Sequence, residues 1–431
     1  VLRIEHFPFS LLVERCPLNI LRGHLLRSLR SAEDRVHRRF RGDRRRVLFD
    51  GETAMHFSMF ETLYGSLGHD ERIERHVTSS WAGGPKAPID SLCRMMGASA
   101  SDFVPYGKAK WQKWDLYVSS CFDNPWFARS VPWVDTFHGV GEKWVADGSR
   151  LYMCHPLAAR YDRLLCPSPR LADQFERHPE FLKHADSLRR TGVAKTDPLV
   201  WHNKPDVRRK LQQGWGLLPG RPTVLFAPTW GPDGLLALHG EAVIRECAAR
   251  GMNVLVKLHS CSYDKDPRFN GGVNWMQRMD SLCAETSAVH CSQSNLASLM
   301  LAADVMIADF GSAAVEFCLL DRPLVFFRSD AQSIRTGGDG FQFRQLCDAG
   351  GGVTDRKMLA DAIDKARKGD DGRSAARHEV QKGFFFNVGR ATEQCLVEMY
   401  ALMNLGVSQG LSDQYRQERE RAILSEPARC L

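Results

Sequence analysis

Val305-Met306-Ile307-Ala308-Asp309-Phe310-Gly311-Ser312-Ala313-Ala314-Val315-Glu316-Phe317 is the stretch on which the fold turns. Four apolar residues ending at an acid read as a strand covered on both faces, the mark of a parallel sheet. Gly311 and Ser312 then open a run of small residues with helical periodicity. The first amides of such a helix have no partner within it, and with the helix dipole they make a site for an anion. Small side chains would let a diphosphate come close to the backbone, and Ser312 could add a hydroxyl. Glu316, one turn on, could accept hydrogen bonds from ribose or substrate hydroxyls. The plainer reading is an ordinary helix start at which Ser312 caps its own helix.

The same pattern repeats outward from this stretch. Thr223-Val224-Leu225-Phe226-Ala227-Pro228-Thr229 is a strand stopped by proline, with Thr229 where it emerges. Glu241 to Arg250 is helical and stops at Gly251. Asn253 to Leu258 is the next strand, followed by His259. Lys257 and His259 should share a face there, since strand side chains alternate. Leu296–Ala303 and Ser312–Leu320 read as helices and Pro323–Phe327 as a strand.

The first half has the same alternation. Val47–Asp50, Val77–Ser80, Leu116–Ser120, Val131–Thr136 and Leu164–Ser168 read as strands, with helices over 55–67 and 169–178. Strands alternating with helices call for parallel sheets with right-handed crossovers, hence an α/β fold of two doubly wound, Rossmann-like halves. The expected divisions are a basic helical arm over 1–46, a first domain over 47–200, a nucleotide-binding domain over 201–385 and closing helices over 386–431.

Ligands of such sheets bind beyond the C-terminal ends of the strands. His138, in Asp135-Thr136-Phe137-His138-Gly139, and His259 both follow apolar runs and so belong at that rim, one in each half. An imidazole there can take a hydroxyl proton near neutral pH. Lys143, past Gly139 and Gly141, and Lys195 are candidate phosphate contacts.

Composition narrows the function classes. The chain has 431 residues, 43% hydrophobic and 25% charged, as expected of a globular protein of two or three domains. No apolar run is long enough to span a bilayer, and none at the start has the pattern of a secretory signal. The 13 cysteines include no C-x-x-C pair, which speaks against a disulfide framework or a cysteine-rich zinc site and for a reducing cytoplasm. Residues 1–46 hold 12 Arg, no Lys and 5 acids, so the whole formal excess of +7 falls there. With Leu21, Leu25, Leu26 and Leu29 at helical spacing, the arm fits the inner face of an anionic membrane. The balanced remainder argues against nucleic acid.

Six short elements, in order, resemble those of the CDP-glycerol glycerophosphotransferase family, the enzymes of teichoic-acid synthesis. They are Phe137-His138-Gly139-Val140-Gly141-Glu142-Lys143, Gly192-Val193-Ala194-Lys195-Thr196-Asp197, Ala227-Pro228-Thr229-Trp230, Lys257-Leu258-His259-Ser260, Asp309-Phe310-Gly311-Ser312 with Glu316, and Arg322-Pro323 with Phe326-Phe327. Gly389-Arg390-Ala391 resembles a later one. The resemblance implies a GT-B-like arrangement of two facing domains. It also implies transfer of a polyol phosphate from a CDP-polyol to a hydroxyl on a glycan, polymer or lipid-linked acceptor, with release of CMP. In that reading His138 is the general base and His259 a second catalytic or phosphate-contacting group. Thr229, Lys257, Gly311, Ser312 and Glu316 hold the donor, and neither metal nor cofactor is required.

The sequence departs from the family at several points. Phe137 stands for a tryptophan, Val140-Gly141 for Thr-Pro, Gly311 for a serine, and Lys257 for an arginine with its two-pronged grip on phosphate. A GT-B glycosyltransferase using a sugar nucleotide, and a GT-B-like scaffold without catalysis, are the rival readings.

Overall fold

The computed structural model describes residues 44–85, 88–140, 154–264, 266–292, 295–330, 340–369 and 371–427, with Val36 and Gly42. Almost all of the arm over 1–46 and Lys143 lie outside the described residues.

Two parallel sheets carry the fold. The first has six strands in the order β2-β1-β3-β4-β5-β6: β1 Arg45–Asp50, β2 Ile73–Thr78, β3 Leu116–Ser119, β4 Trp133–Asp135, β5 Arg163–Leu165 and β6 Leu188–Arg189. The second has five, ordered β11-β10-β7-β8-β9: β7 Thr223–Phe226, β8 Asn253–Val256, β9 Val289–Cys291, β10 Val305–Ala308 and β11 Leu324–Phe326. All pairings are parallel; Val47 lies opposite Leu116, and Ile307 opposite Phe226. β7, β8 and β10 are buried along their whole length, as their apolar runs require. Each fully buried Val, Leu, Ile or Phe side chain contributes about 1.5–3 kcal/mol.

The elements depart from the sequence reading where tertiary contacts override local pattern. β2 begins at Ile73, not Val77, because an edge strand tolerates the exposed Glu74. β6 and β9 are too short to leave a periodic signal. The helix expected from Glu241 begins at Leu235, behind Gly234, which has no side-chain cap of its own. The Asp309 carboxylate caps it from β10, accepting the Leu235 amide at 2.8 Å.

The chain passes between the sheets twice, near residues 197 and 386, and the two passages are joined. The buried Asp197 carboxylate accepts the amides of Ala391 and Thr392 and the Thr392 hydroxyl, at 3.3, 2.7 and 2.7 Å. Burial pushes this carboxyl up to about 6. At Gly192 a Cβ would stand 2.1 Å from the Phe386 carbonyl oxygen, so only glycine fits.

The closing helices return to the first sheet's side. From the helix Ala391–Leu402, Tyr400 donates to Asp70 at 2.7 Å, and Glu398 pairs with Arg163 and Arg189. The helix Leu411–Ser425 lays Tyr415 against Gly65 in the helix Ala54–Leu67, where a Cβ would be 2.0 Å from the ring. Among the described residues no helix is long and apolar enough to cross a membrane.

Candidate active site

His138 is built by the ends of β3 and β4. Asp135, the last residue of β4, is fully buried. Its carboxylate accepts the Phe137 amide at 2.7 Å, the Phe122 amide at 2.9 Å and the Ser119 hydroxyl at 2.6 Å. Phe137 (φ 56°) and Phe122 (φ 54°) are both left-handed. That costs bulky residues on the order of 1–3 kcal/mol each and persists only where the surroundings enforce it. One carboxylate thus fixes the two turns that precede His138 and follow Cys121.

The His138 ring is buried, with Nδ1 2.9 Å from the Ser120 carbonyl and 3.0 Å from Cys121 Sγ. A carbonyl only accepts, so Nδ1 carries the proton and Nε2 the lone pair. His56, at the start of the helix Ala54–Leu67, places Nε2 3.0 Å from the same sulfur, and its Nδ1 accepts the Glu52 amide at 3.2 Å. The two imidazoles stand edge to face, 5.6 Å apart. Beside them is a cavity of ≈ 150 Å³, lined by Ser120, Cys121, Phe122, Phe137, His138, His155 and Leu157. Three buried acids lie behind it. Burial raises Asp50 and Asp135, and pushes Asp123 up to about 8 with Asp50 and Asp135 adding repulsion.

The second rim lies where β7 and β10 run side by side with crossovers leaving in opposite directions, the point at which open α/β sheets bind ligands. Asp309 is buried there, and besides capping Leu235 it accepts the Thr229 amide at 2.6 Å. The segment after β7 is thereby tied to β10. Gly311 is extended and precedes the helix Ser312–Phe317, with Ser312 exposed. A Cβ on Gly311 would lie 4.0 Å from Thr229 Cβ, which puts Gly311 and Thr229 side by side.

β8 ends at Val256, so Lys257 and His259 lie just past the strand, not within its alternation. The Lys257 amide still bonds the Phe226 carbonyl at 3.0 Å. The exposed His259 caps the turn Ser260–Tyr263, its Nδ1 accepting the Cys261 amide at 3.1 Å, and its ring lies 6.4 Å from that of Trp230. Glu316 is buried and bound to Lys195, Nζ to Oε1 2.9 Å, across 121 residues of sequence.

The structure therefore brings Thr229 to Gly311 and Lys195 to Glu316. The residues lining the cavity at His138 all come from the first sheet's side. His56, Cys121, Asp135 and Asp309 did not stand out as site residues in the sequence. Only Asp135 and Asp309 left a signal, as acids ending apolar runs.

Two parallel, doubly wound sheets with crevices at their C-terminal rims define the GT-B-like class. The chain belongs to the CDP-glycerol:poly(glycerophosphate) glycerophosphotransferase family, whose model matches residues 145–399, more than half of the sequence. It is 21% identical over 218 residues to the teichoic acid ribitol-phosphate polymerase TarK of Staphylococcus aureus (strain NCTC 8325 / PS 47), covering 49% of this chain and 40% of TarK. With the teichoic acid poly(glycerol phosphate) polymerase of Bacillus spizizenii (strain ATCC 23059 / NRRL B-14472 / W23) it shares 22% over 261 residues, 56% of this chain and 62% of that one. The match thus spans less than two thirds of each relative's length, 40% of the first and 62% of the second. Among solved structures, a variant of the wall teichoic acid polymerase TagF superposes with a TM-score of 0.61 at 15% identity, covering 90% of this chain and 98% of that one. A UDP-GlcNAc 2-epimerase from Neisseria meningitidis, bound to UDP-GlcNAc, does so with 0.52 at 13%, covering 83% and 99%. At these identities the likeness is one of fold.

Proposed function

We propose that this chain transfers a polyol phosphate from a CDP-polyol to a hydroxyl acceptor in the synthesis of a cell-surface polymer. The acceptor oxygen attacks the phosphorus that bears the polyol. The bond from that phosphorus to the bridging oxygen breaks, CMP leaves with the electron pair, and the hydroxyl proton passes to His138 Nε2. The reading is carried by one observation: in a member of this family, His138 is buried at a strand rim with its Nδ1 proton held by the Ser120 carbonyl. That leaves Nε2 the lone pair a general base needs.

The donor diphosphate is assigned to the crevice between Thr229 and the start of the helix at Ser312, where amides and the helix dipole favour an anion. Lys257 and His259 flank it, and Lys195 with Glu316 closes one side. Such transfer depends mainly on positioning and charge stabilisation, which these groups can supply. Lys143 remains a candidate phosphate contact, and the arginine-rich arm a candidate anchor to an anionic membrane surface at the cytoplasmic face.

The test is CMP release from CDP-glycerol with a lipid-linked or glycan acceptor, comparing wild type with His138→Ala. Loss of a general base lowers turnover by about 10²–10⁴-fold. Unchanged turnover would remove His138 from the reaction.

A further inference from the structure

We propose that His56, Cys121 and His138 form a binding site for a thiophilic divalent cation of the zinc type, and that occupancy shuts off His138 as a base. The first part stands on geometry alone; the second rests on the function proposed above.

One ligand atom from each of the three residues lies within 4.8 Å of the others. One thiol and two imidazoles are the donor set that zinc-type ions select over oxygen-seeking ones such as Mg²⁺. The ligands come from three segments: His56 from the first turn of the helix that follows β1, and Cys121 and His138 from the turns that follow β3 and β4. Asp135 holds the turns beside Cys121 and His138, so the site is set before any ion arrives. Cys121 Sγ is 3.0 Å from both His56 Nε2 and His138 Nδ1, with His138 Nε2 further off at 3.9 Å. Tetrahedral zinc separates a sulfur and a nitrogen ligand by about 3.5 Å, so the thiol draws back from both rings by about half an ångström.

On the His138 ring the nitrogen that faces the thiol is Nδ1, which the Ser120 carbonyl also holds at 2.9 Å. The cavity lined by Cys121 and His138 leaves room for a fourth, exchangeable ligand. Binding asks for two rearrangements. Metal on His56 Nε2 moves that ring's proton to Nδ1, so the Glu52 amide gives up its 3.2 Å contact. Metal on His138 Nδ1 moves that ring's proton to Nε2, so the Ser120 carbonyl gives up its 2.9 Å contact. Two hydrogen bonds are exchanged for three metal–ligand bonds. The ion deprotonates the Cys121 thiol and one proton leaves to solvent. His138 Nε2, now carrying the ring's proton, can no longer take the acceptor's.

The full chain, freed of metal by chelation under reducing conditions and exchanged into anaerobic buffer, is titrated with Co²⁺. The expected result is one ion per chain, a thiolate-to-cobalt charge-transfer band, release of about one proton and displacement by Zn²⁺. Cys121→Ser, checked for fold by circular dichroism, should lose the band, and affinity should fall by at least about 100-fold. His56→Gln should keep a weakened band if the serine variant fails to fold. Cys283 and Cys291 bring a second pair of thiols within 2.9 Å of each other, and their Cys283→Ser/Cys291→Ser double variant should bind as wild type does. No band in wild type, or the same band in Cys121→Ser, overturns the site. Zn²⁺ should stop CMP release in parallel with occupancy. Full turnover with the site filled overturns the shut-off and leaves the site standing; failure of His138→Ala to affect turnover would instead strike the function proposed above.

Discussion

Lys195 and Glu316 are joined at 2.9 Å across the junction of the two sheets, the carboxylate buried and the ammonium partly open to water. This asymmetry sets what each substitution does. Lys195→Ala leaves a buried carboxylate without its cation, whereas Glu316→Gln leaves a lysine that water can reach. Lys195→Ala should therefore cost more stability, on the order of 1–3 kcal/mol. Urea unfolding of both variants measures this; equal losses would mean that the pair adds nothing beyond packing.

Asp135→Asn keeps the shape and removes one acceptor oxygen from a group that serves two left-handed turns. An amide cannot accept from both Phe122 and Phe137 as the carboxylate does, since one of its ends is a donor. The expected outcome is a loss of about 1–3 kcal/mol in stability together with a fall in kcat larger than any change in KM. Wild-type kcat in this variant would show that the turns hold His138 without the carboxylate.

Asp309 ties together the crevice proposed for the donor, accepting the Thr229 and Leu235 amides. Asp309→Ala strands the Thr229 and Leu235 amides, two charge-assisted bonds, at a cost of about 2–4 kcal/mol. Binding of CDP, followed by calorimetry at a temperature where the variant is folded, should weaken markedly. Undiminished CDP affinity would place the nucleotide elsewhere.

Acid should loosen the closing helices through Asp70. Arg72 holds this carboxyl well below the usual range, opposed by burial and helped by the Tyr400 and Ser408 hydroxyls. A carboxyl more acidic folded than unfolded stabilises the fold above its unfolded pKa of about 3.9, and that contribution is lost as pH falls toward the folded value. Stability measured from about pH 5 downward should fall less steeply in Asp70→Asn than in wild type. Parallel slopes would show that other carboxylates govern the transition.

Much of this architecture was legible because a parallel strand is apolar on both faces. Val305–Ala308, Thr223–Phe226 and Asn253–Val256 needed no context, and Pro228, Gly139 and Gly311 marked where the chain turns out at the rim. Short strands such as Leu188–Arg189 exist only through their neighbours' hydrogen bonds. The start of the helix at Leu235 was hidden because its cap lies 74 residues away. His56 and Cys121 belong to no spacing motif, and only the order of β1, β3 and β4 in the sheet brings them to His138. Lys195 and Glu316 were each read as reaching for a ligand, and sequence alone could not show that they reach for each other.

The return of Tyr400 and Tyr415 to the first sheet has a bearing on biogenesis. The early half of the polypeptide cannot finish its interior until the final helices have left the ribosome, whereas the second sheet, from β7 to β11, can settle beforehand. A chain stopped near residue 385 should therefore reach a cell with its middle ordered and its beginning exposed to proteases, the reverse of the usual order in which nascent domains mature.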